Sequence, residues 1–248
     1  MDFFIVFVLI AIFLGGLVRS YFGFGEALIS MPLLAIIGLD THTAISTIGL
    51  AGLFVASLNI FYDFKTIKYK VLCKMLIGSL LGIPIGIWCL RHFEAGNVQF
   101  MLGIFLILYG IYALARTLYF KNYAHIILKS KIWAFITGIV SGMLGSLYNS
   151  HGVPVVIYGT MTRWGIKAFK STVQAHFLIT AIFVVIGQIT GGIWTSQTLS
   201  LFLLSIPCLI ISVMIGKYLS YVTTPHNFEK WIYVFLVLLG ILMLFVVS

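Results

Sequence analysis

The stretch RSYFGFGEALISMP, Arg19–Pro32, interrupts an oily N-terminus with an arginine, a glutamate and two glycines two residues apart. How the chain passes through it decides the fold. Charged side chains and paired glycines inside an apolar run either kink one transmembrane helix or split it into two. The surrounding composition identifies the solvent as lipid. Of 248 residues, 61% are hydrophobic and 8% are charged, where soluble domains carry about 25% charge; the mean hydropathy is +1.14. An all-α polytopic membrane protein is expected. No stretch is polar enough for a separate water-soluble domain, so residues 1–248 are read as one membrane domain.

Six runs outside that stretch, 42–62, 71–90, 98–119, 170–192, 198–217 and 229–247, meet the need of a spanning helix for about 20 apolar residues. Two regions, 3–38 and 132–162, are longer than one span, and glycines and polar residues interrupt both near the middle. Lysine and arginine placement separates a kinked span from a turn back, because cytoplasmic loops collect positive charge. If each interrupted region crosses once, the basic loop 163–170 falls opposite the basic loops 63–74 and 116–131. If each returns to the side it left, as a re-entrant hairpin or as two tight crossings, thirteen of the fifteen Lys and Arg share one side. These are Lys65, Lys68, Lys70, Lys74, Arg116, Lys121, Lys129, Lys131, Arg163, Lys167, Lys170, Lys217 and Lys230. Arg91 lies opposite and Arg19 lies in the first break. The second arrangement is expected, with both termini outside the cytoplasm. MDFFIVFVLIAIFLGG lacks a basic start and a small-residue cleavage site, and reads as a retained helix.

One hairpin and three spans per half is an odd number of side changes, so the second half is expected to be inverted relative to the first, as in secondary transporters. The residues repeat accordingly. GLVRSYFGFGEALISMPLLAI (Gly16–Ile36) aligns without a gap on GIVSGMLGSLYNSHGVPVVIY (Gly138–Tyr158), each position 122 residues after its counterpart. Gly16 matches Gly138, Val18 matches Val140, Gly23 matches Gly145 and Pro32 matches Pro154. The repeats are placed at about 1–122 and 123–248. Ser46-Thr47 and Ser171-Thr172 open the next helix in each half. Non-helical backbone at membrane depth is tolerated only inside protein or around a water-filled cavity. Breaks at 23–26 and 145–152 therefore predict an internal cavity. Helix N-termini pointing into it would suit a small anion.

GLVRSYFGFGEALISMPLLAIIG (Gly16–Gly38), followed by a small and polar helix start, and GIVSGMLGSLYNSHGVPVVIYGTM (Gly138–Met161) resemble the paired glycine-rich hairpins of the sulfite exporter TauE/SafE family of membrane transporters, also called TSUP. The apolar segment pattern agrees over essentially the whole chain. The resemblance implies transport of sulfite, sulfoacetate or related organosulfonates, mostly outward, across a bacterial cell (inner) membrane. The sequence departs from the family at Phe24 and Glu26 around Gly25, and at Tyr148, Asn149, Ser150 and His151, where small residues are usual.

Several side chains are candidates for the anion path. Arg19 can pair bidentately with an oxyanion, or snorkel to headgroups, or neutralise Glu26. Glu26 is costly at membrane depth and reads either as a proton-coupling carboxylate or as the ion-pair partner of Arg19. His151 and His176 could carry protons or contact substrate, or simply bond a carbonyl; His176 is placed with Glu26 in the proton-coupling set. Asn149, Ser150 and Gln174 are neutral groups suited to a sulfonate, and the first two also suit helix capping. Gly23, Phe24 and Gly25 at the first break, with Ser46, Thr47, Ser171 and Thr172, complete the candidate substrate-binding set. Gly78, Gly82 and Gly86 read as a close helix-packing face with Pro84 as a kink. Tyr62, Tyr69, Trp133 and Trp231 read as interfacial anchors.

Other classes are disfavoured by what the chain lacks. Cys73, Cys89 and Cys208 are scattered and no histidine pair has metal-ligand spacing, so no metal and no cofactor is expected. A membrane thiol-redox or cofactor-assembly protein, the alternative reading, would call for such pairs. No Walker A pattern supplies ATP drive. Ser150 beside His151 is a poor nucleophile and base, since adjacent residues seldom meet in that geometry, and no enzyme activity is expected. The net charge of +9 reads as topology-setting charge, not as a nucleic-acid surface. The expected partners are a small anion, the lipid bilayer and, as the candidate coupling ion, protons.

Overall fold

The computed structural model describes residues 3–59, 64–119, 132–162, 166–223 and 226–247. Among them are ten α-helices: α1 (Phe3–Phe22), α2 (Glu26–Ile37), α3 (Thr41–Leu58), α4 (Tyr69–His92), α5 (Ala95–Tyr119), α6 (Ile132–Tyr148), α7 (Gly152–Met161), α8 (Ile166–Thr190), α9 (Thr198–Val222) and α10 (His226–Val247). Six of these, α1, α3, α4, α5, α8 and α9, are long and apolar enough to cross a membrane. Five coincide with expected runs. The expected run 229–247 lies in α10, whose apolar stretch Lys230–Phe245 is shorter. Lys121, Lys129, Lys131, Arg163, Tyr62 and Ser248 lie outside the described residues.

Both interrupted regions are divided into a long and a short helix. At 1.5 Å per residue, the 20 residues of α1 reach about 30 Å and the 12 of α2 about 18 Å. The 17 of α6 reach about 26 Å and the 10 of α7 about 15 Å. The first break is made by Gly23 (φ 86°) and Gly25 (φ 98°), values in the left-handed region that glycine alone enters freely. The second falls within the expected 145–152, toward its end. α6 continues through Gly145 to Tyr148, and the chain turns at Asn149 (φ 55°), Ser150 and His151. Asparagine tolerates that backbone better than other side-chain-bearing residues, because its amide can bond locally. Gly145 stays helical and instead receives the His151 side chain, which would lie 3.0 Å from an added Cβ.

Local chemistry also explains the tight turn from α2 to α3. Gly38 (φ 83°) ends α2, with its N–H on the Ala35 carbonyl and that of Leu39 on Leu34, a Schellman pattern. Asp40 then caps α3 by accepting from Thr43 N–H at 2.9 Å. Ser30 of α2 donates to the Ala11 carbonyl of α1 at 3.0 Å, and Gly15 packs against Ser30 and the Glu26 carbonyl. The two helices therefore lie antiparallel, and the chain leaves α2 near the end of the bundle where α1 began.

Three seams of small residues bring helices to near backbone contact. On α4, Gly78, Gly82 and Gly86 face α6, where a Cβ would overlap backbone atoms of Phe135, Ile139 and Met143; Gly138 and Gly142 return the contact onto Met75 and Ser79. The expected packing face is thus the α4–α6 seam, and Pro84 sits within an unbroken α4. In the α1–α9 seam, Cβ atoms on Gly16 and Gly216 would lie 2.5 Å from Ser212 Oγ and 2.6 Å from Ser20 Cβ. The third joins α5 and α10 through Gly103 and Gly240. Around these seams the outer surface is apolar, including Leu81, Leu108, Leu203 and Met214, as lipid requires. Tyr69, Trp133 and Trp231 are exposed, and the three cysteines are free.

Hydrogen bonds fix which helix ends meet. Lys217 near the end of α9 donates to the Leu58 carbonyl at the end of α3. Thr66 and Ser171 meet at 2.9 Å, and Lys68 N–H donates to Thr172, joining the starts of α4 and α8. At the other end, His42 reaches the Leu90 carbonyl and Gln99 donates to Thr41.

Candidate functional site

The two breaks face each other in the bundle interior, and each is held by the half of the chain to which it does not belong. Gln174 on α8 donates to the Gly23 carbonyl at 3.0 Å. Asn149 in the second break donates to the Ile45 carbonyl on α3 at 2.7 Å, and its oxygen accepts from Gln188 of α8 at 3.2 Å. Backbone that a break leaves unpaired is costly in an apolar interior. For the Gly23 carbonyl, Gln174 supplies the partner that the helices cannot; Asn149 ties the second break to the side of α3.

Between the breaks lies an ion pair. Arg19, near the end of α1, donates through Nη1 to Glu26 Oε2 at 2.9 Å, and both side chains are almost fully buried, at 6% and 3% exposure. Glu26 occupies the first turn of α2, where the helix dipole favours a carboxylate. The Arg19 guanidinium also stands 5.9 Å from the ring centre of Phe177 on α8, within cation–π range. The ion pair uses only part of the hydrogen-bonding capacity present. Arg19 Nε and Nη2, Glu26 Oε1 and His151 Nδ1 are buried without a hydrogen-bond partner.

Two small adjoining cavities share Arg19, Glu26, Ala27, Asn149 and His151 in their walls. The first is closed by Gly49 and Gly52 of α3 and by Ala181 and Val184 of α8. The second is closed by Phe24, Leu28, Gly152 and Phe177, so α2 and α7 both begin at its wall. Gly52 lies well inside α3, and Phe177 well inside α8, which sets the ion pair away from the bundle ends. A Cβ on Gly52 would lie 3.3 Å from Arg19 Nη1 and 3.5 Å from Glu26 Oε2. The small residue gives the pair its room.

Of the candidates named from sequence, the structure brings Arg19, Phe24, Gly25, Glu26, Asn149, Ser150 and His151 together at these cavities. Gly23 and Gln174 lie beside them, bonded to each other. The remaining five stand apart. Ser46 bonds the His42 carbonyl and Thr198, Ser171 bonds Thr66 and Thr172 accepts from Lys68 N–H. Thr47 is buried with its hydroxyl unpaired. His176 is held through Nε2 by Ser79 and Thr180, at 3.1 and 3.2 Å. Gln188, Phe177, Gly49 and Gly52 are neighbours of the site that the sequence did not single out. A lone glutamine near the end of the apolar run 170–192 is the signal by which Gln188, fully buried in the structure, could have been found.

The arrangement can hold a small oxyanion by charge and hydrogen bonding; among the described residues, no His/Cys/Asp/Glu group could hold a metal ion. Comparison with curated proteins finds no match, and neither does comparison with solved structures. Comparison with protein families matches residues 8–243, from α1 into α10, to the family described as sulfite exporter TauE/SafE. With the match covering nearly the whole chain, this multi-pass membrane protein belongs to the sulfite exporter TauE/SafE family, whose members are transporters and not enzymes.

Proposed function

We propose that the chain is a secondary transporter that exports small sulfur-containing or organic anions, with sulfite and sulfoacetate as candidate substrates, by alternating access about the cavities between its two breaks. One observation carries this reading: a buried arginine with two unpaired nitrogens stands in the wall of a cavity at which two short helices begin. Guanidinium nitrogens and helix N-termini both favour oxyanions. Phe24, Gly25, Asn149, Ser150 and His151 complete the binding site, with Gly23 and Gln174 fixing its edge.

The two halves are read as inverted repeats, each a re-entrant hairpin and three spans. Supporting this, helix neighbours recur five elements apart: α4 packs on α6 as α9 packs on α1, and α4 meets α8 as α9 meets α3. Ser46 with Thr198 and Ser171 with Thr66 are matching bonds in the two halves. The antiparallel pairing of α1 and α2 supports a chain that returns to the side it left. The end of the bundle bearing Lys65, Lys68, Lys70, Lys74, Lys167, Lys170 and Lys217 is the cytoplasmic one on this reading, and both termini face outward, in a bacterial cell membrane.

Flux of labelled sulfite, sulfoacetate and taurine in vesicles holding the purified full chain, with and without a pH gradient, tests the proposal. Gradient-dependent flux of at least one small anion is expected. No flux of any of them by folded protein overturns it.

A further inference from the structure

Arg19 and Glu26 are the only charged residues in the walls of the two cavities among the described residues. The α3 wall contributes Ile48, Gly49 and Gly52, and the α8 wall Phe177, Ala181 and Val184, none of which can ionise. The one other titratable group in the walls is His151, and His176 lies beyond it, bonded to Ser79 and Thr180. One positive and one negative charge therefore cancel within a buried space. An anion binding to Arg19 while Glu26 keeps its charge would leave a net negative charge there, which burial opposes strongly.

We infer that Glu26 is the resident counter-anion of Arg19, and that it yields this place to a single negative charge on the substrate as it takes up one proton. The inference rests on the anion-transporter reading and adds its charge balance. A proton from water neutralises the Glu26 carboxylate and no covalent bond to the substrate forms or breaks. The substrate oxygens accept from Arg19 Nη1 and from its unpaired Nε and Nη2. On release the proton returns to water and the ion pair closes again. Anion and proton then move one for one and the site stays neutral throughout. Of the candidate substrates, sulfite as the monoanion hydrogensulfite meets this condition. Sulfoacetate, a dianion near neutral pH, does not.

The test uses the full chain in vesicles, with labelled sulfite in mildly acidic buffer, where it is almost wholly hydrogensulfite. Anion flux, trapped-dye pH and dependence on a potassium-clamped voltage are read together. One proton per anion and voltage-independent flux are expected for the unaltered protein. Whatever sulfite flux Glu26→Gln retains is expected to carry no proton and to depend on voltage, whereas Glu26→Asp stays coupled. Voltage-dependent flux in the unaltered protein, or unchanged proton movement in Glu26→Gln, overturns the inference. The unaltered protein alone decides the matter if Glu26→Gln does not fold. Flux of sulfoacetate without flux of sulfite also overturns the inference, whereas absence of flux of any small anion removes the transport reading itself, a different failure.

The glycine seams point independently to the parts that move. Glycine seams join α1 to α9 and α4 to α6, in each case across the two halves of the chain. We infer that the rigid bodies are not the sequence halves but two sets that exchange their fourth helices: α1, α2, α3 and α9 against α6, α7, α8 and α4. The cavities lie between these sets, with Arg19, Glu26 and Gly52 on one side and Asn149, His151 and Phe177 on the other. Given alternating access, spin labels on the exposed Phe7, Leu81, Ile136 and Leu203, with Cys73, Cys89 and Cys208 replaced by serine, report the motion in bilayers with and without sulfite. The α4–α6 pair (81 and 136) and the α1–α9 pair (7 and 203) keep their distances, while the α1–α4 pair (7 and 81) shifts. A shift within either seam overturns the assignment of bodies. Constancy of all three overturns alternating access as well.

Discussion

Gln174 closes a 3.0 Å hydrogen bond on the carbonyl of Gly23, 151 residues earlier in the chain. The carbonyl belongs to a break, so no helix can satisfy it, and the glutamine is its partner. Gln174→Ala leaves that oxygen without its bond and is expected to cost about 1–3 kcal/mol, seen as a lower midpoint of thermal unfolding in detergent. Asn149→Ala, which removes the bonds of the second break to the Ile45 carbonyl and to Gln188, changes stability in the same direction. Unchanged midpoints in both would remove the idea that each half holds the break of the other.

Glycines in this chain serve two separable purposes. Gly25→Ala meets only ordinary contacts, with Val18 and Leu28 at 3.6 and 3.7 Å, but forces a side chain into φ 98°; about 1–2 kcal/mol of strain is expected. Gly38→Ala, at φ 83° with open space around it, should lose a similar amount. Gly82→Ala has no such strain but drives a methyl group into the backbone of α6. Overpacking costs about 1–3 kcal/mol and more where backbone must part, so Gly82→Ala is expected to be the most damaging of the three in unfolding experiments.

The Arg19–Glu26 pair separates stability from function. Removing one partner of a buried pair strands the other charge, at a cost of about 3–5 kcal/mol. Arg19→Met and Glu26→Leu singly are therefore expected to lower the unfolding midpoint sharply. The double variant recovers most of that loss, since an apolar pair of similar volume is tolerated. Anion flux does not recover with it. A double variant that folds and still transports would mean that the pair has a structural task alone.

His176 provides a contrast. Its Nε2 is held by Ser79 and Thr180 beside the α4–α6 seam, and Ser79 Oγ is itself 3.1 Å from the Gly138 carbonyl. His176→Ala is expected to lose about 1–3 kcal/mol through these bonds, while the ratio of protons to anions in the remaining flux stays the same. A changed ratio would put His176 in the proton path.

Much of this architecture could be read from residues whose effect is local. Paired glycines at 23 and 25 cannot sit quietly in a lipid-facing helix, and a four-residue glycine spacing at 78, 82 and 86 creates a flat face that needs a partner. The partner was not legible, because nothing in a glycine names the helix across from it. The second break was harder to position: Gly145 advertises flexibility but is helical, whereas Asn149 turns the chain through a conformation it merely tolerates. Ser46-Thr47 and Ser171-Thr172 recur in both halves for a reason that polarity alone does not reveal. Three of the four bind neighbouring helix ends and not the central cavities. Arg19 and Glu26, seven residues apart across a break, could be named as a pair. Phe177 and Gly52, which give the pair its face and its room, come from distant helices, and only the fold brings them there.

The seams between α1 and α9 and between α4 and α6 also bear on the order of synthesis. Gly16 and Ser20 of α1 are synthesised well before Ser212 and Gly216, which cover them. α4 likewise waits for α6. The first half inserted alone leaves its closest packing faces without their native partners, so the assembled core forms only when the second half arrives. Two separately expressed halves, 1–122 and 123–248, would then complement each other in one membrane, while either alone would be exposed to membrane proteolysis.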